Sequence, residues 1–262
     1  MALVEYGLDD GVAVLTLNRP EKRNAIGDAL IAALSEAVER ASTEARAAVI
    51  AARGAHFCAG LDLAEQVDKD LMQGIAGSRH WHSVFTRIQR GQIPYVCALK
   101  GAVIGGGLEL AAAAHIRVAE PDTFFAMPEG QRGIFVGGGG SVNITRLLGV
   151  PRMTDMMLTG RTLDATEGER YGVVNYLAPA GGGLDRAVAV ARAIAGNAPL
   201  SNYATINALQ RIHDSGYDEG LFFESMIATL TQLSPDAEER MRAFVDRKAG
   251  RIAAPARGAV AP

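Results

Sequence analysis

Tyr95-Val96-Cys97-Ala98-Leu99, followed by Gly105-Gly106-Gly107-Leu108-Glu109-Leu110 and a run of alanines to Ala114, is the stretch that decides the fold. An apolar run of strand length leads to a glycine turn, and Gly106 then opens an apolar helix. On the C-terminal side, His115 to Ala119 and Thr123 to Ala126 read as short strands. On the N-terminal side the same order occurs once more. Val12 to Leu17 and Ala47 to Ala52 read as strands, and between them Leu30, Ile31, Leu34 and Val38 recur at helical spacing within an amphipathic stretch from about Asp28 to Ala41. A long polar segment, Glu65 to Gln92, precedes Tyr95. Strands alternating with helices imply an α/β layered core. After Pro199 the composition changes: Ser201 to Ile212, Gly220 to Leu230 and Asp236 to Lys248 have helical period, so the last quarter reads as helical. Beyond Gly250, Ala, Pro and Gly suggest a frayed tail. No internal sequence repeat is visible.

The 262 residues, 48% hydrophobic and 21% charged, suffice for one compact domain with an appendage. A net charge of -3 supplies no broad basic field, which argues against nucleic acid as a partner. No apolar stretch reaches membrane-spanning length and the N-terminus has no signal-peptide pattern, so the expectation is a cytoplasmic protein without a membrane partner. Cys58 and Cys97 are the only cysteines and are read as reduced, buried thiols. His80 and His82 fall on different helix faces and make no metal pair, and no metal site is expected.

Glu109 and Glu129 are the residues best suited to chemistry. Each follows a turn-forming segment, Glu109 after Gly105-Gly106-Gly107 and Glu129 within Phe125-Ala126-Met127-Pro128-Glu129-Gly130. A carboxylate at the start of an apolar helix is poorly solvated, and its pKa can rise toward that of an acid/base catalyst. The structural alternative is that Glu109 complements a helix dipole and Glu129 caps a turn. The glycine-bearing segments Cys58-Ala59-Gly60-Leu61-Asp62-Leu63, Gly105 to Glu109 and Gly137-Gly138-Gly139-Gly140-Ser141 fit neither a P-loop nor a dinucleotide fingerprint nor a nucleophile elbow. Nucleotide hydrolysis, NAD redox and serine-hydrolase chemistry therefore recede. Backbone N–H donors able to hold an oxyanion, one after a strand and one at a helix start, are what these segments can supply.

Four separated segments, in order and in register, resemble the crotonase, or enoyl-CoA hydratase/isomerase, superfamily. They are Leu17-Asn18-Arg19-Pro20-Glu21-Lys22-Arg23-Asn24-Ala25, Phe57 to Leu63, Gly105 to Glu109, and Met127-Pro128-Glu129 continuing through Gly133 to Gly137-Gly138-Gly139-Gly140. The resemblance spans nearly the whole chain. It implies the crotonase (ClpP/crotonase-like) α/β fold of repeated ββα units, with a core over residues 1–195. A C-terminal helical region over 196–262 would serve oligomerisation and CoA covering. By the same resemblance the Leu61 and Gly106 N–H groups form the oxyanion hole. Ala25, Ala59, Leu63 and Gly137 lie along substrate and CoA, and Phe244, Arg247 and Lys248 form a contact stripe on a helix that covers the CoA of a neighbouring subunit. Where some members carry a lysine, this chain reads Ala64, which removes one CoA contact.

Members that hydrate an enoyl thioester carry glutamates at both catalytic positions, as here. The resemblance thus implies an enoyl-CoA hydratase, a hydro-lyase that forms a 3-hydroxyacyl-CoA. Glu109 would activate water for attack at Cβ and Glu129 would protonate Cα. The acyl-CoA brings its own CoA and no cofactor is required; the expected assembly is a homo-oligomer, a trimer or a dimer of trimers. Ser78-Arg79-His80-Trp81-His82, His115 to Glu120 and Pro128 to Gly137 are similar to the branch containing methylthioacryloyl-CoA hydratase, with Trp81 a packing residue or acyl-pocket wall. Other readings are a methylthioacryloyl-CoA hydratase or hydrolase, an enoyl-CoA isomerase, and a non-enzymatic CoA-thioester scaffold.

Overall fold

A computed structural model of the chain describes residues 2–248. The tail beyond Gly250 lies outside them. Within these residues the contacts define two compact units that divide between Asn207 and Ala208, while the sequence reading set the boundary at 195/196. The first turns of the following helix, α8 (Pro199–Asp214), account for the difference: Asn202, Ile206 and Asn207 are buried. The Asn202 side-chain amide donates to the Ile194 carbonyl at 2.8 Å and that of Asn207 to the Gly91 carbonyl at 3.1 Å.

In the first unit, β1 (Val4–Asp9), β2 (Val12–Leu17), β3 (Ala47–Ala52), β4 (Tyr95–Leu99), β6 (Ile116–Ala119) and β9 (Tyr176–Leu177) form one sheet in the order β1-β2-β3-β4-β6-β9. Only the β1–β2 pair is antiparallel. Strand β1 was not foreseen, because its residues become progressively exposed along an edge strand and give no apolar signal. All six residues of β3 are buried, and they divide by period two. Val49 and Ala51 pack with Val96 and Val118 against Ala187, Ala191 and Ala195 of α7 (Gly183–Ala195), whereas Ala48 and Ile50 face Leu30, Leu34 and Val38 of α1 (Asp28–Glu44).

A second, three-stranded sheet has the order β5-β7-β8, from β5 (Ala102–Ile104), β7 (Phe124–Ala126) and β8 (Leu163–Asp164). The chain alternates between the two sheets. It runs β4, β5 and α3 (Gly106–Ala113), then β6, β7 and, after a short 3-10 turn at Glu129–Arg132, α4 (Gly140–Leu148), giving the ββα repeat. Helices α5 (Val150–Thr159) and α6 (Ala165–Arg170) complete the unit. The polar segment before Tyr95 is a helix, α2 (Leu71–Arg90), opened by an Asp70–Gln73 capping box. Its buried residues are confined to Trp81 through Gln89, so its first half carries no core periodicity and was legible only as polar.

The second unit contains the rest of α8, α9 (Tyr217–Gln232) and α10 (Pro235–Val245). The helical period expected to Lys248 stops at Val245, and Arg247 adopts a left-handed conformation (φ 58°). No helix among the described residues is long and apolar enough to cross a membrane.

Candidate active site

Three parallel strand segments leave the small sheet side by side. Cys58 bridges Val103 in parallel, and β5 pairs with β7 with Ala102 opposite Phe124. Parallel strands end on the same edge, so the residues that follow, Ala59–Leu61, Gly105–Gly106 and Met127–Glu129, emerge together. Gly60 lets the first two meet: its φ is +96°, and a Cβ there would stand 2.7 Å from the Ile104 carbonyl oxygen. The Leu61 nitrogen in turn lies 3.5 Å from where a Gly106 Cβ would be. Neither the Leu61 nor the Gly106 N–H donates a hydrogen bond within the described residues. Gly106 is the first residue of α3, where N–H groups have no intrahelical acceptor and the helix dipole favours negative charge. Two adjacent N–H donors without an acceptor are the arrangement that holding an oxyanion requires. At the other end of α3, the buried Arg117 guanidinium donates to the Ala114 carbonyl at 2.6 Å and anchors the helix.

Glu109 projects from the first turn of α3 and is 3% exposed. Its Oε1 accepts from the N–H groups of Gly138 and Gly140, both at 2.8 Å. The glycine run preceding α4 therefore serves the carboxylate directly. A Cβ at Gly138 would stand 3.0 Å from Glu109 Oε2, from Phe85 and from Trp81, and one at Gly140 would stand 2.9 Å from Glu109 Cγ. Burial lifts the Glu109 pKa above the ordinary carboxyl value, opposed by the Gly140 and Gly138 donors and by His82. On α2, Ser78 Oγ donates to the Gly137 carbonyl at 2.6 Å and holds the start of the same run.

Glu129 opens the 3-10 turn Glu129–Arg132 and is 6% exposed. Its Oε2 has no hydrogen-bond partner. Burial pushes its pKa up to about 7; its own backbone N–H opposes the rise and the charge of Glu109 adds to it.

Both glutamates and Leu61, Gly106, Ala59, Leu63 and Gly137 line one cavity of about 530 Å³, together with Trp81. Of the expected CoA-side residues, Ala25 lies between two lining residues, Arg23 and Ile26, and its carbonyl accepts from Arg19 at 3.2 Å. Phe244, Arg247 and Lys248 belong to the second unit. Phe244 is 64% exposed, and Lys248 pairs with Asp246 at 3.2 Å. Sequence reasoning missed Ser78 as a contact of the glycine run, Gly138 and Gly140 as donors to Glu109, and Arg132 on the cavity wall. The glycine cluster was a usable signal for the donors, since free N–H groups there need an acceptor. No group of three or more His, Cys, Asp or Glu among the described residues could hold a metal ion.

Comparison with known proteins bears on family and fold. The family model described as enoyl-CoA hydratase/isomerase matches residues 7–251. The chain is 31% identical to the 2,3-dehydroadipyl-CoA hydratase of Escherichia coli over 239 residues, covering 90% of this chain and 93% of that one. It is 35% identical to the mevalonyl-coenzyme A hydratase of Beauveria bassiana over 256 residues, covering 90% and 89%. Among solved structures, a Rhodopseudomonas palustris protein provisionally assigned as an enoyl-CoA hydratase superposes with a TM-score of 0.91 at 49% identity, covering 94% of this chain and 95% of that one. The enoyl-CoA hydratase of Thermoplasma volcanium gives 0.88 at 27% identity, covering 93% and 98%. With the ββα repeat, the small-sheet exits and the match along almost the whole sequence in agreement, the chain belongs to the enoyl-CoA hydratase/isomerase family, the crotonase superfamily.

Proposed function

We propose that the protein is an enoyl-CoA hydratase, adding water across the 2,3 double bond of an enoyl-CoA thioester to give a 3-hydroxyacyl-CoA. The observation that carries this reading is one cavity holding two buried carboxyls of unlike surroundings beside two unused N–H donors. Glu109, whose oxygen receives two N–H groups that favour its charged form against the burial that lifts its pKa, acts as the base. It takes a proton from water as the water oxygen bonds to Cβ. The π electrons pass to the thioester, and the Leu61 and Gly106 N–H groups hold the resulting enolate oxygen. Glu129, which carries a proton near neutral pH, delivers it to Cα as the carbonyl re-forms. Proton transfer through water then resets the pair.

The CoA moiety is placed along Ala25, Ala59 and Leu63, with Gly137 on the acyl side. Apolar residues exposed on the second unit, including Leu221, Phe222, Met226 and Phe244, support a homo-oligomer, a trimer or a dimer of trimers, with Phe244, Arg247 and Lys248 covering CoA. The substrate carries the only CoA required, and no cofactor takes part. The names of the relatives, one acting on a dehydroadipyl-CoA and one on a mevalonyl-CoA, leave the acyl group open. Loss of the conjugated thioester absorbance with crotonyl-CoA, longer enoyl-CoAs and methylthioacryloyl-CoA tests the reading. Hydration of at least one, without release of free CoA, is the expected result. Free CoA instead would favour a thioester hydrolase and a shifted double bond an isomerase; binding without turnover would leave a scaffold.

A further inference from the structure

The cavity wall carries three cations, and they differ in what occupies them. Lys69 is paired with Asp28 at 2.7 Å. Arg23 and Arg132 have no ion pair or side-chain hydrogen bond among the described residues. Arg23 sits by the first oxyanion segment, where its carbonyl accepts from the Ala59 N–H at 2.9 Å. Arg132 sits elsewhere, at the end of the 3-10 turn that Glu129 begins. A 3-10 helix has three residues per turn, so side chains at i and i+3 eclipse and Arg132 shares the face of Glu129, about 6 Å farther along the axis. The guanidinium is not spent on Glu129, whose pKa stays near 7. A cation at the cavity rim, aligned with the proton donor and unoccupied by the protein, calls for an anion from the ligand.

We propose that Arg132 binds a carboxylate at the far end of the acyl chain, so that the preferred substrates are enoyl-CoA thioesters of dicarboxylic acids. This rests on the hydratase reading and deepens it. The thioester is held at Leu61 and Gly106, Cα faces Glu129, and the chain beyond Cβ continues along the turn toward Arg132. A fork of N–H donors matches a carboxylate in two parallel hydrogen bonds, which a neutral chain end cannot use. Arg132 is exposed, so the preference weakens as ionic strength rises.

The test compares trans-2-hexenoyl-CoA with its ω-carboxy analogue in the wild-type protein, Arg132→Gln and Arg132→Lys. Ratios of kcat/KM cancel any loss common to both substrates. The expected result is a wild-type preference for the carboxylated substrate that falls on the order of 10-fold or more in Arg132→Gln, the size of a charge-assisted hydrogen bond, and is partly kept in Arg132→Lys. An equal ratio in wild type and Arg132→Gln would overturn the inference, as would an equal rise in KM for both substrates, which would assign the arginine to CoA. Binding of the saturated pair, hexanoyl-CoA and its ω-carboxy analogue, measured by calorimetry reads the same ratio without chemistry. A preserved binding ratio with no turnover would therefore overturn the hydratase reading and leave the carboxylate site standing.

Discussion

Glu109 and Glu129 are the same residue type, both buried against one cavity, and the backbone supplies them with donors unequally. At the start of α3, Glu109 receives two N–H donors on one oxygen and has an anchored helix behind it. In the 3-10 turn after β7, Glu129 keeps an oxygen with no partner. Burial raises both pKa values; at Glu109 the Gly140 and Gly138 donors oppose it, and at Glu129 its own backbone N–H opposes it while the charge of Glu109 adds to it. Both carboxyls stand above the ordinary carboxyl value, and only at Glu109 do amides from a distant segment favour the charged form. In the proposed hydration, the division of labour between base and acid would follow from where the glycine run before α4 points its amides, since the two side chains are chemically identical.

Replacing either carboxyl removes one half of the contrast and has the largest effect. Glu109→Gln and Glu129→Gln are each expected to lower kcat for crotonyl-CoA hydration by about 10²- to 10⁴-fold, the usual contribution of acid/base catalysis. Either variant within tenfold of wild type would break the pairing. Gly138→Ala is next: it keeps both carboxyls but puts a methyl 3.0 Å from Glu109 Oε2, from Phe85 and from Trp81. A displaced base costs on the order of 10²-fold in kcat, with thermal unfolding serving as the control for general damage.

The contrast is sharpened by pH. Because Glu129 must be protonated to act as the acid, kcat/KM for hydration is expected to fall as pH rises through about 7. Carboxyl-labelled NMR should show the Glu129 titration moving to lower pH in Glu109→Gln, where the neighbouring charge is gone. The stability sign follows from linkage. A carboxyl whose folded pKa lies above its unfolded value contributes stability at low pH, and that contribution is lost as pH rises through about 7. Glu129→Gln is therefore expected to gain Tm relative to wild type at pH 8 compared with pH 5, by a few degrees for roughly 1–2 kcal/mol. The smallest effect is that of Ser78→Ala, which removes the hydrogen bond to the Gly137 carbonyl and should cost about fivefold in kcat, near 1 kcal/mol, with Ser78→Thr restoring most of it.

Much of this site was legible in the sequence because its parts are local. Gly106 and Glu109 are separated by less than one helical turn, and both the apolar run of β4 and the glycine turn before α3 announce themselves by composition. What was not legible depends on pairings between distant segments. The bonds from Gly138 and Gly140 to Glu109 join residues about 30 apart in sequence, and Ser78 reaches Gly137 across 59 residues. The first half of helix α2 gives no period for a different reason: it lies at the cavity, with Leu71, Met72 and Ile75 exposed, and the buried residues of the helix begin only at Trp81.

Hydration by the proposed pair is tested most directly by where the atoms of water end up. Crotonyl-CoA incubated with the wild-type protein in D₂O, and followed by NMR of the acyl group, should give 3-hydroxybutyryl-CoA with a single deuteron at Cα and the hydroxyl on Cβ. Free CoA with unaltered crotonate, a double bond moved to the 3,4 position, or recovery of unlabelled crotonyl-CoA alone would contradict it.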